Sequence, residues 1–265
     1  MNDHIIVALV ATRGLEDFLR NSLAGLHRVG IDARIVHVAR PANAAQTIDP
    51  IILGAGAVVH SFDEFDAASA AAPEHYVDYG TEPFVDITWT KVRYIRWLLD
   101  HYRHVVYADL DVGWLADPLW YLEAIAKVFP LAFQTEALRC FPPVLCWGFL
   151  SATSCAVSIE LLDSMLRDYA QRATPQNDDQ STFDAMLKND PAFLRHVHPL
   201  SEGLFVNGIG YRNLVEQPAA VALSGRIEPF VFHANWTVGL SNKRKLMVQT
   251  GTWSIDAEET SDRQD

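Results

Sequence analysis

Cysteine is scarce in this chain. Three cysteines occur among 265 residues, namely Cys140, Cys146 and Cys155, and no two of them form a CxxC pair. So few cysteines argue against a disulfide-stapled secreted domain and against a cysteine-ligated zinc site. We therefore expect three reduced, buried thiols in a protein that resides in a reducing compartment.

Basic residues are also few. The chain has 21 lysines and arginines against 33 aspartates and glutamates, which gives a formal net charge of -12. Nucleic acids and anionic membranes bind basic patches, so a surface this acidic does not attract them. We expect no nucleic-acid partner, whereas a local basic pocket for a phosphorylated ligand is compatible with this charge.

Long hydrophobic runs are missing as well. The first apolar run, Ile5–Ala11, has seven residues and no basic segment before it, unlike a signal peptide or a membrane span. We therefore expect no transmembrane segment and a cytoplasmic location. The chain shows no internal repeat and no low-complexity linker. This pattern predicts one continuous domain over residues 1–253 and a disordered acidic tail over 254–265.

Apolar residues are plentiful and follow a β-α-β order. They make up 49% of the chain, which is enough for a packed core. A strand at 4–12, a helix at 15–29 and a strand at 33–39 predict parallel strands joined by a right-handed crossover. Residues 40–86 are less regular, with one short strand at 56–60 and a loop from 63 onwards.

The remaining pattern predicts an α/β fold with a strand-rich carboxyl half. The predicted helices are 88–102, 116–129, 156–172, 178–189 and one that carries residues 243–245. The predicted strands are 104–109, 130–136, 147–154, 194–200, 203–206, 219–223 and 230–235.

Two aspartates follow the most apolar strand directly, in the stretch HVVYADLDVGWLADP (104–118). Side chains two residues apart on a strand point to the same side, so Asp109 and Asp111 converge if the strand continues. Ligands of open α/β sheets bind beyond the carboxyl ends of the strands, where this pair falls. Close carboxylates repel each other unless a cation compensates, and Mg²⁺ or Mn²⁺ prefers such oxygen ligands. The pair therefore predicts a metal-diphosphate site.

The aspartate pair alone leaves a structural role open. With 21 aspartates in the chain, about two Asp-x-Asp pairs are expected by chance. A solvated loop or a helix N-cap explains such a pair equally well. Asp117, which precedes Pro118, is itself predicted to cap the next helix.

A second feature lies far downstream, in FVFHANWTVGLSNKRKL (230–246). An apolar strand ends at His233, and after Gly239 a helix begins that carries Lys243 and Lys245. Imidazole completes a manganese site made of carboxylates, and lysine neutralises a leaving diphosphate. In isolation, His233 is also explained as a hydrogen-bonded core residue, and the basic run as a solvated helix face.

Taken together, these features resemble a known family. The order of DLD (109–111), GF (148–149), NDDQ (177–180) and HANWTVGLSNK (233–243) is similar to nucleotide-diphospho-sugar transferases of glycosyltransferase family 77. It is more distantly similar to the retaining enzymes of family 8. The resemblance covers residues 5–253 and implies a GT-A fold, with a Rossmann-like mixed central sheet flanked by helices.

The resemblance implies a role for each matching residue. Asp109, Asp111 and His233 would bind Mn²⁺ or Mg²⁺. Residues implied to contact the nucleotide-sugar are Ala11, Thr12, Arg13, Lys91, Asp109, Leu110, Asp111, Gly148, Phe149, His233, Gly239 and Lys243. The family 8 spacing from His to Lys is shorter than here, so Lys243 and Lys245 are both candidates for holding the diphosphate.

The segment Asp178-Asp179-Gln180 is implied to lie beside the sugar as the catalytic group. Retention through a covalent intermediate needs a carboxylate nucleophile, for which Asp178 and Asp179 are available, and front-face attack without a nucleophile is equally open. A structural alternative is a helix N-terminus, which Asp178 and Asp179 would cap well.

The implied activity is sugar transfer by a hexosyl- or pentosyltransferase. The donor is a nucleotide-diphosphate sugar, with UDP-sugars as the first expectation, and the acceptor is a hydroxyl of a glycan, a lipid-linked molecule or a protein. Retention of the anomeric configuration is expected from the family. A metal and a lysine would stabilise the charge that develops on the departing diphosphate.

Two other functions fit parts of the pattern. Phosphohydrolases of the haloacid-dehalogenase type also place Asp-x-Asp after a strand, but they need Thr or Val where this chain has Gly113. A non-catalytic carbohydrate-binding protein on a transferase fold would have no use for the complete set of Asp109, Asp111, His233 and Lys243.

Overall fold

The computed structural model of the chain describes residues 2–66, 76–77, 80–137, 140–171, 177–216 and 228–255. The predicted strand at 219–223 and residues 256–265 of the predicted tail lie outside these ranges. Among the helices of the described ranges, none is both long and apolar enough to cross a membrane.

The elements of the described ranges alternate between strand and helix along much of the chain. The strands are β1 (Asn2–Val10), β2 (Val36–Arg40), β3 (Val58–Ser61), β4 (Tyr102–Ala108), β5 (Val112–Trp114), β6 (Leu131–Ala137), β7 (Val144–Thr153), β8 (Val197–Pro199), β9 (Phe205–Asn207) and β10 (Val231–His233). The helices are α1 (Glu16–Arg28), α2 (Ala45–Gly54), α3 (Glu82–His101), α4 (Leu119–Ala126), α5 (Ala156–Ala170), α6 (Asp179–Asn189), α7 (Gly208–Glu216) and α8 (Leu240–Gln249).

The central sheet is mixed, as predicted. Its strands lie in the order β3-β2-β1-β4-β7-β6-β8. The pairs β1–β2, β1–β4, β2–β3 and β6–β8 are parallel, whereas β7 runs antiparallel to both β4 and β6. The chain leaves β1 towards β2 on one side and returns to β4 on the other. The crevice between the ends of β1 and β4 is therefore a topological switch point, where ligands of open α/β sheets bind.

Both faces of the central sheet are covered, which explains why its inner strands are continuously apolar. Along β1, Val7 and Leu9 face one core, which includes α1, α2 and α8. Ile6, Ala8 and Val10 face the other core, which includes α3, α5 and α6.

A small second sheet, with the order β5-β10-β9, adjoins the carboxyl end of β4. Strand β10 pairs antiparallel with β5 and parallel with β9, so that His233 lies opposite both Val112 and Asn207. Strand β5 was not predicted. It begins directly after Asp111, because β4 ends at Ala108 and a turn follows in which Val112 N–H donates to the Asp109 carbonyl at 3.1 Å.

Several predicted boundaries were wrong for identifiable reasons. Helix α2 lies in a stretch that we predicted to be irregular. It contains Pro50, and proline within a segment is typical of a break in a helix. Helix α3 begins six residues before the predicted start, at Glu82, where the Thr81 hydroxyl accepts from Phe84 N–H. Residues 194–196, predicted to begin a strand, belong to a 3-10 helix, Pro191–His196. Helix α7 was also not predicted.

The cysteine prediction holds only in part. Cys140, Cys146 and Cys155 form no disulfide, but only Cys146 is buried, whereas Cys155 is half-buried and Cys140 is exposed. The capping role predicted for Asp117 is confirmed, since its Oδ1 accepts from Leu119 N–H at 2.8 Å at the start of α4.

Candidate active site

A cavity of about 600 Å³ opens at the switch point of the central sheet. Its wall joins the ends of β1 and β4, the first half of α3, the start of α6, the segment after β10 and the start of α8. The predicted site residues that line it are Lys91, Asp109, Leu110, Asp111, Gly148, Asp178, Asp179, Gln180, His233 and Lys243.

The predicted nucleotide contacts Ala11, Thr12, Arg13 and Gly239 are not among the residues that line the cavity. Val10 and Leu15 line the cavity on either side of the first three, and Val238 and Leu240 line it on either side of Gly239. Ala11 and Thr12 are buried, and Ala11 N–H donates to the Ala39 carbonyl at 2.9 Å. Gly239 has a positive φ of 84° and its carbonyl accepts from Lys243 N–H at the start of α8.

Asp109, Asp111 and His233 form a compact acidic group. One ligand atom of each lies within 4.8 Å of the other two. The turn after β4 brings the two carboxylates together, rather than the continued strand that we predicted. Pairing of β5 with β10 adds the imidazole, whose Nε2 lies 3.3 Å from Asp111 Oδ1.

Gly148 leaves room for this group. A Cβ at this position would lie 2.3 Å from His233 Cε1 and 2.6 Å from Asp109 Oδ2, so no larger residue fits without displacing them. Successive residues of β7 face opposite sides of the sheet. For that reason Phe149, also predicted near the sugar, lies in the core against Trp114 and Phe205.

Two lysines compensate the carboxylates. Lys243 Nζ lies 2.6 Å from Asp111 Oδ2, and Lys91 Nζ lies 2.8 Å from Asp179 Oδ2 and 3.9 Å from Asp109 Oδ1. Burial disfavours the charged form of both lysines, but the neighbouring carboxylates outweigh it and raise the pKa of each. Lys245, the other candidate for the diphosphate, is exposed on α8.

The two buried aspartates respond differently to their surroundings. Burial disfavours ionisation of Asp111, yet Lys243 and His233 together lower its pKa far below the usual range, so Asp111 is a carboxylate. Burial raises the pKa of Asp179 to about 6 in spite of Lys91. Asp178 caps α6 through its Oδ1, which accepts from Ser181 N–H at 2.7 Å.

The donor set suits a divalent cation. Two carboxylates and one imidazole are ligands that Mn²⁺ accepts readily, and Mg²⁺ shares the preference for carboxylates. The space beside Gly148 that a Cβ would fill borders two of the three side chains. The residues present therefore fit a bound metal, which Asp109, Asp111 and His233 would hold.

Sequence reasoning missed several polar residues of the cavity. Gln180 Nε2 donates to Glu136 Oε2 at 2.9 Å, and Asn235 Nδ2 donates to Glu136 Oε1 at 3.2 Å. Tyr107 OH donates to Asp109 Oδ1 at 2.8 Å. A sequence signal existed for Tyr107, which lies two residues before Asp109 and so on the same side of the chain if the strand continues.

Comparison with known proteins decides the family. Residues 59–247, more than half of the chain, match the nucleotide-diphospho-sugar transferases. The chain belongs to this family. The resemblance inferred from the DLD, GF, NDDQ and HANW segments is thereby confirmed.

Two relatives of this chain come from Arabidopsis thaliana. The beta-arabinofuranosyltransferase RAY1 is 26% identical over 196 residues, which cover 68% of this chain and 36% of the relative. The UDP-D-xylose:L-fucose alpha-1,3-D-xylosyltransferase 3 is 21% identical over 211 residues, which cover 71% of this chain and 52% of the relative. The chain thus matches about half or less of the length of these relatives.

Solved structures confirm the predicted GT-A fold. The galactosyltransferase LgtC, in complex with donor and acceptor sugar analogues, has a TM-score of 0.58 at 12% identity and covers 97% of this chain and 98% of its own. Mouse xyloside xylosyltransferase 1 has a TM-score of 0.56 at 11% identity and covers 89% and 99%.

Proposed function

We propose that this family member is a metal-dependent glycosyltransferase that moves a sugar from a nucleotide-diphosphate donor to a hydroxyl of an acceptor. The observation that carries the proposal is the convergence of an acidic metal-type group and two charged lysines on one cavity. A cavity of about 600 Å³ is in the range of small-molecule sites.

Asp109, Asp111 and His233 would hold the cation. When bound, Mn²⁺ or Mg²⁺ supplies positive charge beside the phosphates of the donor. Asp111 is suited to this role because its carboxylate stays ionised in spite of burial.

Lys243 would stabilise the leaving group. Its ammonium lines the cavity beside Asp111 and keeps its charge. As the bond between the anomeric carbon and the diphosphate oxygen breaks, its electron pair goes to that oxygen, and a fixed cation nearby lowers the barrier.

For retention of configuration we favour front-face attack. Asp179 is only 2% exposed and ion-paired with Lys91, while Asp178 caps α6, so both carboxylates already have a partner within the protein. In this route the acceptor oxygen bonds to the anomeric carbon on the face that the diphosphate leaves. The acceptor proton passes to the departing phosphate oxygen. In this route Asp179 and Gln180 position the sugar. They also hold two neighbouring side chains, since Asp179 is paired with Lys91 and Gln180 donates to Glu136.

The acceptor would enter beside Trp236. This side chain lines the cavity and is 56% exposed, and its neighbour Val238 is 67% exposed. An exposed indole offers a flat apolar face on which a sugar ring can stack.

We propose a glycan, lipid-linked or protein-linked acceptor, and UDP-pentoses as the first donors to test, because the names of both relatives specify transfer of a pentose. The single domain over 1–253 and the cytoplasmic location stay predictions.

The test is a nucleotide-release assay across UDP-, GDP- and CMP-sugars with Mn²⁺. We expect release of one nucleoside diphosphate that stops when the metal is chelated, and loss of metal-dependent nucleotide binding in Asp111→Asn. Asp117→Asn is the matched control, since Asp117 belongs to the same stretch but only caps α4. Nucleotide binding that is unaffected by chelation would contradict the proposed site, and release of phosphate from simple phosphomonoesters would favour a hydrolase instead.

A further inference from the structure

Gln134 is a buried amide directly behind the acidic group. It lies on β6, is completely buried, and its Oε1 is 2.8 Å from His233 Nδ1. A completely buried amide is costly unless its hydrogen bonds are satisfied.

The hydrogen bonds of Gln134 fix its orientation. Its Nε2 lies 3.2 Å from both the Phe205 and the Val206 carbonyl oxygens. Carbonyls only accept, so both amide hydrogens are directed to them and the amide oxygen faces the imidazole.

The orientation of Gln134 in turn determines the His233 tautomer. An amide oxygen can only accept, so His233 Nδ1 must carry the proton that it donates to Gln134. The thiol of Cys146 is a weaker and more distant partner, with Sγ at 3.7 Å from Nδ1. The other ring nitrogen, Nε2, then lies on the side of Asp111, 3.3 Å from its Oδ1, where a bound cation would take the Nε2 lone pair.

We propose that Gln134 is a positioning residue that holds His233 as the Nδ1–H tautomer and thereby presets Nε2 as a metal ligand. This inference rests on the proposed metal-dependent function. Hydrogen-bond partners behind a ligating histidine typically change metal affinity by about 10- to 100-fold when they are removed.

The tautomer is measured directly by NMR of protein labelled with ¹⁵N-histidine, at pH 8, with and without Mg²⁺. The His233 signals are identified by their loss in His233→Gln. We expect the Nδ1–H form in the wild type and a loss of this preference in Gln134→Met. A predominant Nε2–H form of His233 in the wild type would overturn the proposal.

Metal affinity gives a second readout, by titration of the donor-free protein with Mn²⁺. We expect Gln134→Met to bind Mn²⁺ about 10- to 100-fold more weakly than the wild type. Gln134→Glu keeps an acceptor for Nδ1–H, so we expect it to retain the tautomer and to bind Mn²⁺ more tightly than Gln134→Met even if its melting temperature falls. If Gln134→Met lowers only the melting temperature and leaves tautomer and Mn²⁺ affinity unchanged, Gln134 merely ties β6 to β9 and the proposal fails.

These outcomes separate the inference from the function on which it rests. A wild-type protein that does not bind Mn²⁺ would contradict the proposed metal dependence. Nδ1–H at His233 in that protein, lost in Gln134→Met, would still support the orientation by Gln134.

Discussion

Charge compensation governs the candidate site at the scale of residues. Lys91 is almost fully buried and lies between Asp179 and Asp109, while Lys243 is paired with Asp111. Removing one partner of a buried ion pair is far costlier than the net stability of the pair, because the other charge is left buried alone. Lys243 is also the group that would meet an incoming diphosphate, so stability and binding depend in part on the same side chain.

Lys91→Met tests this dependence. We expect the free energy of unfolding at pH 7.5 to fall by about 3 kcal/mol, because Asp179 and Asp109 lose their shared cation. Urea denaturation measures the change, and Lys245→Met, at an exposed position of the neighbouring basic run, is the control with an expected change within about 0.5 kcal/mol. Equal stability of both variants would show that Lys91 does not compensate these carboxylates.

Gly148→Ala tests the space that the acidic group encloses. The added methyl would collide with His233 and with Asp109, so we expect Mn²⁺ binding to be lost or to weaken more than tenfold. A titration with Mn²⁺ and a melting curve separate loss of the site from loss of the fold. Gly54→Ala is the matched control, since a Cβ there meets no atom within 4 Å, and it should leave Mn²⁺ binding unchanged. Unchanged binding in Gly148→Ala would place the metal elsewhere.

At the scale of elements, local sequence predicts some features well and others not at all. Strands β1, β4 and β7 were predictable because they are long and largely apolar, since both faces of the central sheet are covered. Strand β5 has three residues and forms only by pairing with β10, more than a hundred residues away in sequence, so no local pattern marks it. Helix α2 was obscured by Pro50, whose cost the packing of Ile48, Ile51 and Ile52 offsets.

The candidate site shows the same division between local and distant information. Asp109 and Asp111 were recognisable from the strand before them, and His233 and Lys243 from their place in the HANW segment. Gln134 and Glu136 were not, because their role depends on contacts with His233, Gln180 and Asn235 that only the folded chain brings about.

Asp117→Ala tests an element boundary that the sequence does predict. Loss of the hydrogen bond from Leu119 N–H to Asp117 Oδ1 should lower the free energy of unfolding by about 1 kcal/mol. The melting temperature should fall, while Mn²⁺ affinity stays at the wild-type value because α4 does not line the cavity. A drop in Mn²⁺ affinity in this variant would mean that the third acid of the DLDVGWLAD stretch belongs to the site after all.

At the scale of the whole molecule, the central sheet contains two buried histidines that must stay neutral. His37 on β2 stacks on His60 of β3, with 2.9 Å between Nδ1 and Nε2, and His104 on β4 lies 2.6 Å from Ser151 Oγ of β7. Burial lowers the pKa of each to about 4, with smaller effects from His60 on His37 and from Arg103 on His104. Both histidines lie at strand pairs of the central sheet, so their protonation acts on the fold as a whole.

Acidification should therefore weaken the sheet through these histidines. An unfolded histidine has a pKa of about 6.5, so the neutral form favours the fold above that pH, and this stability is lost as pH falls from about 6.5 towards 4. Asp179 and Asp184, whose pKa burial raises to about 6, act in the opposite direction, so the wild-type curve alone does not isolate the histidines. The difference in pH dependence between the wild type and His104→Gln isolates the contribution of His104. We expect the wild type to lose about 2–3 kcal/mol more than the variant between pH 7 and pH 4 in urea denaturation. Parallel curves for the two proteins would show that His104 titrates in the folded protein as it does in the unfolded chain.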